Sequence, residues 1–187
     1  MADAYNYHDQ LQSARLITRF LTPADIIPWA QFFKDKEAIQ YLSTFGIATC
    51  EDMSKHWIER QLLRYQENRL GLQALINKET GDFIGQCGLL THEIDKKPLM
   101  GISYHIFKQF WGQGYATEAV QCFLAFAFAN KLAPSIISII DINNTKSQRV
   151  AEKNGLKKER QTRWAHHDVY IYSINEDEWQ QREHDQG

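Results

Sequence analysis

The chain has 187 residues, 43% of them hydrophobic, and a formal net charge of −2. That length suits one domain with a sizeable core, and the charge lacks the strong basic footprint of a nucleic-acid-binding domain. The longest apolar runs, "CFLAFAFA" and "IISII", are far too short to span a bilayer, so neither nucleic acid nor a membrane is an expected partner.

In chain order, "ARLITRFL" (Ala14–Leu21) alternates and reads as a strand. "TPAD" then opens a helix, with Thr22 as N-cap and Pro23 in the first turn. The pattern carries it through "DIIPWAQFFK", where Pro28 is placed to bend or divide it. "EDMSKHWIERQLLRYQEN" is a second helix, with Ile58, Leu62 and Tyr65 at helical spacing. "LGLQALIN" and "FIGQCGLLTHE" are strands joined by the turn "KETGD", and "LMGISYHIF" is the next strand. On that strand Met100, Ile102, Tyr104 and Ile106 share one face, and Gly101, Ser103, His105 and Phe107 the other.

A short loop with Gly112 and Gly114 follows, and directly after it a helix with Ala116, Ala119, Val120, Phe123 and Ala127 on one apolar face, widened by Phe126 and Phe128. "SIISIID" is a continuous apolar strand of the kind found inside a covered sheet. "NNTKSQRVAEKNGL" is a helix with an Asn before it and Gly155 at its end. "HHDVYIYSI" closes the sheet, paired with a strand from the region 157–164. The pattern predicts one α/β domain over 14–180, with a 1–13 tail before it and a frayed 181–187 tail after it. The strand–helix–strand unit implies a parallel pair, and the hairpins add antiparallel neighbours.

The Gly112–Gly114 loop carries the first chemical signal. A helix start leaves unpaired N–H groups and a partial positive charge, and glycines let a ligand approach the backbone. Together they suit an anion such as a phosphate, although a plain strand-to-helix turn has the same appearance. The loop is not a dinucleotide fingerprint, because Thr117 stands at the third glycine position, and no Gly-Lys-Ser/Thr occurs anywhere for a P-loop. The cysteines, Cys50, Cys87 and Cys122, form no CxxC pair and no cluster of zinc-ligand spacing. No metal is therefore expected, and the unpatterned thiols fit a reduced cytoplasmic protein. The start "MADAYNYHDQ" is polar and lacks the apolar stretch of a signal peptide.

Gln109, Gly112 and Gly114 in "QFWGQG" match Q/R-x-x-G-x-G/A after a strand and before a helix. The full run "WGQGYATEA" is followed about thirty residues later by Asn144-x-x-Ser147 and Glu152-Lys153-x-Gly155. With these, almost the whole chain resembles the GCN5-related N-acetyltransferases (GNAT), of the type that includes the Rim ribosomal-protein alanine acetyltransferases. The resemblance implies a largely antiparallel sheet with a central parallel strand pair that splays, helices on both faces, and acetyl transfer from acetyl-CoA, as co-substrate, to an amine. It implies that the backbone from Gln109 through Gly112, Gln113, Gly114, Tyr115 and Ala116 to Thr117 holds the coenzyme A pyrophosphate. The strand around His105, Ile106 and Phe107 would pair with the pantetheine arm and supply an oxyanion donor. Asn144 would contact the cofactor or order the loop, with a plain N-cap as the other reading. Ser147 would give the departing thiolate its proton.

Two departures from the family stand out. Many members carry a tyrosine four residues after the serine position, where this chain has Ala151, and a glutamate in the strand before the loop, where it has Gly101. His105, on the same strand face, is the candidate general base, with His92 and Glu93 as rivals. The segment 41–50 and Trp164, His166, His167 and Tyr170 are candidates to border the acceptor. The expected acceptor is a protein or peptide N-terminal amine. A small amine such as a polyamine, amino acid or antibiotic is the alternative, and an acetyl-CoA sensor without turnover a further one. A monomer or homodimer fits either.

Overall fold

The computed structural model describes residues 7–42 and 46–186. Strand β1 (Leu16–Arg19) leads into a 3-10 turn at Pro23–Asp25 and then helix α1 (Ile26–Lys34). The chain breaks from 3-10 to α at Ile26, ahead of Pro28. Pro28 sits in the first turn of α1, where its missing N–H costs nothing, so it neither bends nor divides that helix. A four-residue helix that the periodicity could not reveal, α2 (Lys36–Ile39), follows, with the Asp35 carboxylate accepting from the N–H groups of Glu37 and Ala38. Helix α3 (Cys50–Gln66) starts at Thr49, whose hydroxyl accepts from Asp52 N–H.

Strands β2 (Leu72–Asn77), β3 (Phe83–Ile94) and β4 (Lys97–Ile106) form a meander. The remaining elements are α4 (Tyr115–Ala129), β5 (Ser135–Asp141), α5 (Thr145–Lys153), β6 (Lys157–Trp164), β7 (His167–Asn175) and α6 (Glu176–Gln186). The sheet order is β1-β2-β3-β4-β5-β7-β6. Neighbours are antiparallel except β4 and β5, which run parallel. This is the mixed α/β sheet, largely antiparallel with one central parallel pair, that the sequence predicts.

Each sheet face buries a different set of helices. On one side Ala119, Val120, Phe123, Leu124 and Ala127 of α4 and Ala151 of α5 pack on Leu75, Ile84, Leu89, Ile102 and Ile136. On the other, Trp29, Phe32 and Phe33 of α1 and Met53 and Ile58 of α3 cover Leu72, Ala74 and Phe107. Trp29 and Phe32 stack with centroids 4.4 Å apart. Helix α6 takes in most of the segment expected to fray. It buries Trp179, stacked 5.9 Å from Phe128, and its Arg182 donates to Lys153 O. At the other end Tyr7 and Leu11 pack on the first core cluster, and Gln10 N–H donates to Thr18 O.

Candidate active site

The geometry starts where β4 and β5 part. Their register is the pair Gly101↔Ile137, yet β4 continues to Ile106 and β5 to Asp141. Phe107 N–H donates to Ile84 O, which sets the alternation of the β3–β4 ladder. By that alternation the odd residues of β4 exchange hydrogen bonds with β3, and the N–H and C=O of Ile102, Tyr104 and Ile106 point toward β5. Ile102 lies beside the bridge and its C=O accepts from Ser138 Oγ at 3.5 Å, but beyond Ile137 there is no ladder to receive Tyr104 and Ile106. Ile106 O accepts instead from Trp111 Nε1 at 2.7 Å. Among the described residues, Tyr104 N–H, Tyr104 O and Ile106 N–H have no such protein partner in the gap.

The gap widens into a cleft of about 580 Å³. Its lining includes Ile102–Ile106 of β4, Ser138–Asp141 of β5, the loop at Phe110–Gly112, the first residues of α4, and Asn144, Ser147 and Arg149 at the start of α5. At its mouth Gly112 (φ 75°) and Gly114 (φ 85°) adopt the left-handed conformation, Gly114 as the N-cap of α4. Glu118 N–H makes the first bond of that helix, to Gly114 O at 3.0 Å. The backbone N–H groups from Gly112 to Thr117 donate to no protein acceptor among the described residues. This is the electrostatic form of an anion site at a helix start. The carboxylate of Glu118, which would oppose an anion there, is taken up by Arg15 at 2.7 Å and by the Ser13 hydroxyl. These contacts hold its carboxyl below the usual range.

The cleft therefore brings together most of the predicted site: His105, Ile106, Gly112, Gly114, Tyr115, Ala116, Thr117, Asn144 and Ser147 all line it. Phe107, Gln109 and Gln113 do not. The Phe107 ring is buried against Trp29 and Phe83 with its N–H committed to β3, so Tyr104 rather than Phe107 offers backbone to the gap. Gln113 turns its amide back onto Gln109 O. Asn144 is the N-cap of α5, its Oδ1 accepting from Ser147 N–H at 3.1 Å. That is the plain reading of the Asn-x-x-Ser spacing, and Asn144 borders the cleft as well.

Ser147 Oγ lies 2.7 Å from the Tyr104 hydroxyl, which is also 3.0 Å from Ser147 O. Burial pushes the Tyr104 phenol up, so it stays protonated through the neutral range. The sequence missed this tyrosine because its alternating position reads as apolar packing.

Of the three candidate bases, Glu93 is exposed, and the two histidines lie on the sheet face opposite Tyr104. His105 packs edge-on against Trp57 at 4.9 Å, and burial pulls it down to about 4. His92 of β3 is likewise pulled down to about 4, by burial first and then by the Arg64 charge. Its ring leans over Gly101: a Cβ added to that glycine would stand 2.7 Å from His92 Cδ2. The space left by the glycine is thus filled by histidine from the neighbouring strand. The Trp164 ring stands perpendicular to the His92 ring, with centroids 5.6 Å apart.

A strap that no local pattern announces crosses the cleft. Glu37 of α2 binds Lys108 before α4 at 2.8 Å and Lys146 of α5 at 2.7 Å. Tyr41 donates to Asn143 O, and Lys146 stands over the Trp111 ring at 4.3 Å. The two lysines hold the Glu37 carboxyl down to about 2. Of the segment 41–50 expected near the acceptor, Tyr41 and Leu42 border the cleft, and residues 43–45 lie outside the described residues. Among the described residues no group of His, Cys, Asp and Glu is placed to hold a metal, and no helix is long and apolar enough to cross a membrane.

Comparison with known proteins agrees with this geometry. The pattern of the Acetyltransferase (GNAT) domain matches residues 15–157. The chain is 29% identical over 140 residues to YkkB, an uncharacterized protein of Bacillus subtilis (strain 168), covering 75% of this chain and 80% of that one. It is 27% identical over 176 residues to the uncharacterized N-acetyltransferase p20 of Bacillus licheniformis, covering 89% and 96%. A GNAT-family acetyltransferase from Bacillus anthracis superposes with a TM-score of 0.72 at 21% identity, over 89% of this chain and 98% of that one. RimL, a ribosomal L7/L12 α-N-protein acetyltransferase solved with coenzyme A, superposes with a TM-score of 0.71 at 18% identity, over 89% and 97%. The open strand pair, the left-handed glycine loop with its free N–H groups and the family match together identify the chain as a member of the GNAT family, an acetyl-CoA-dependent N-acetyltransferase.

Proposed function

We propose that this enzyme acetylates the N-terminal amine of a protein or peptide, by direct attack of the amine on acetyl-CoA in a ternary complex. The observation that carries the acetyl-donor half is the gap opening at Gly101↔Ile137, whose wide end meets the free N–H groups of Gly112–Thr117. Those N–H groups and the α4 dipole hold a pyrophosphate. Tyr104 N–H, Tyr104 O and Ile106 N–H offer an amide-bearing arm the hydrogen bonds that a strand would otherwise take. The Tyr104 N–H also suits an oxygen on which negative charge develops. Support for a peptide acceptor comes from the shared fold with RimL.

The chain's own residues divide the proton work. The attacking amine must be neutral, and once it bonds to carbon its N–H becomes strongly acidic. A weak base is then enough to take the proton. His105 borders the cleft and is neutral above about pH 4, so we assign it that task. His92 over Gly101 is the alternative that substitution can separate. Ser147, at the opposite side of the gap, faces the departing sulfur and donates to it.

The test is coenzyme A thiol release from acetyl-CoA against peptides beginning Ala, Ser or Met, polyamines, free amino acids and aminoglycosides. Release with a peptide class, and a mass gain of one acetyl group at its N-terminus, is the expected result. Turnover of small amines alone would overturn the peptide reading. Tight acetyl-CoA binding with silence across the panel would overturn turnover on any of these amines.

A further inference from the structure

Ser147 by itself is a poor proton source, because an aliphatic hydroxyl is a far weaker acid than the thiol it would have to protonate. The position four residues later on α5, which would present a second hydroxyl to the same cleft, is Ala151, buried in the core. The hydroxyl that the helix lacks arrives from the sheet. Tyr104 projects from β4 on the α4–α5 side, lines the cleft, and places its oxygen 2.7 Å from Ser147 Oγ. Such a distance is that of a strong O–H···O bond.

We propose that Tyr104 is a positioning and proton-relay partner of Ser147, the source of the proton that Ser147 passes to the coenzyme A sulfur. This inference rests on the acetyl-transfer reading above. When the Tyr104 O–H donates to Ser147 Oγ, the serine's own hydrogen is free to turn into the cleft. As the C–S bond breaks, its electron pair goes to sulfur. The Ser147 proton moves to sulfur, and the Tyr104 proton moves to Ser147 Oγ. The serine ends as it began; a phenolate is a weaker base than an alkoxide, yet burial disfavours it, so both protons move only as a third reaches the phenol oxygen. The proton released by the attacking amine, or one from water, restores the phenol. In the alternative arrangement the one phenol hydrogen goes to Ser147 O at 3.0 Å and Ser147 Oγ donates to the phenol oxygen; the relay runs when the phenol hydrogen turns to Oγ.

The experiment compares Tyr104→Phe, Ser147→Ala and the double variant by steady-state kinetics of thiol release. Acetyl-CoA affinity is measured by calorimetry and folding by thermal melting. Phenylalanine keeps the ring and removes the hydroxyl alone. The expected result for Tyr104→Phe is a kcat loss of at least about tenfold, within the range for a positioned acid, with KM for acetyl-CoA nearly unchanged. The double variant should lose little more than Ser147→Ala, because the two hydroxyls act as one path. A folded Tyr104→Phe with wild-type kcat would overturn the inference, as would multiplicative losses in the double variant. If Tyr104→Phe melts early, Ser147→Ala with wild-type kcat overturns it instead. Failure of the wild-type chain to turn over any acceptor would speak against the acetyl-transfer reading, a separate result.

Discussion

Gly114→Val is the sharpest test of the anion site. Gly114 has φ 85° as the N-cap of α4, and a Cβ there would stand 3.4 Å from Arg15 Nη2. A side chain with Cβ in the left-handed region costs roughly 1–2 kcal/mol, and a β-branched one more. The loop relieves that cost by rotating, which turns the N–H groups of Gly112–Thr117 away from their common focus. Hydrogen bonds to a charged group are worth about 1.5–3 kcal/mol each. Losing one of them costs about 1.5–3 kcal/mol, or roughly 10- to 140-fold in the acetyl-CoA dissociation constant at about 1.4 kcal/mol per tenfold. Calorimetric titration reads this directly. Gly81→Val is the control. Gly81 has φ 75° with nothing within 4 Å of the added Cβ, and it sits in the β2–β3 turn outside the cleft lining. It pays the same kind of backbone cost with no effect on binding. A folded Gly114→Val that binds acetyl-CoA within about threefold of wild type would refute the anion-site account.

Ser147→Ala should lower kcat with little change in acetyl-CoA affinity, read by thiol release and calorimetry, and an unchanged rate would remove the serine from proton transfer. His105→Gln and His92→Gln should differ: a kcat loss of about tenfold or more confined to His105→Gln supports it as the base, and a loss confined to His92→Gln moves the role to β3. Both histidines have folded pKa values drawn to about 4 against an unfolded value near 6.5. The unfolded chain therefore binds more protons between those values, and stability must fall as pH drops from about 6.5 toward 4. Denaturant midpoints at pH 7 and pH 5 should show this, with a smaller difference in His105→Phe. Glu37, held by Lys108 and Lys146, should titrate near 2 by carboxyl-carbon NMR; a midpoint near 4.5 would mean the strap across the cleft does not persist in solution.

Features dictated by local chemistry were legible in the sequence. Gly112 and Gly114 before an apolar helix read as a short glycine loop at a helix start, and the helix does start there, at Tyr115, with both glycines left-handed. The run "SIISIID" reads as a buried strand and occupies β5 to the residue. The Asn144–Ser147 spacing is an N-cap spacing, and the cap bond is present. Gly101 was legible as missing bulk, though not as space that His92 fills from the next strand.

Which groups meet across the gap follows from the packed fold alone. Tyr104 and Ser147 are 43 residues apart and touch because β4 and α5 flank the same opening. Glu37 finds Lys108 and Lys146 because α2, a single turn with no periodicity to detect, is carried over the cleft by α1. Phe107 looked like a cofactor contact from its place beside the loop, yet the β3–β4 ladder turns its N–H away and gives the gap to Tyr104 and Ile106. Polar contacts between distant segments leave no periodic trace in a sequence. They follow from strand register and from where two strands part, and both are set by the packed core as a whole.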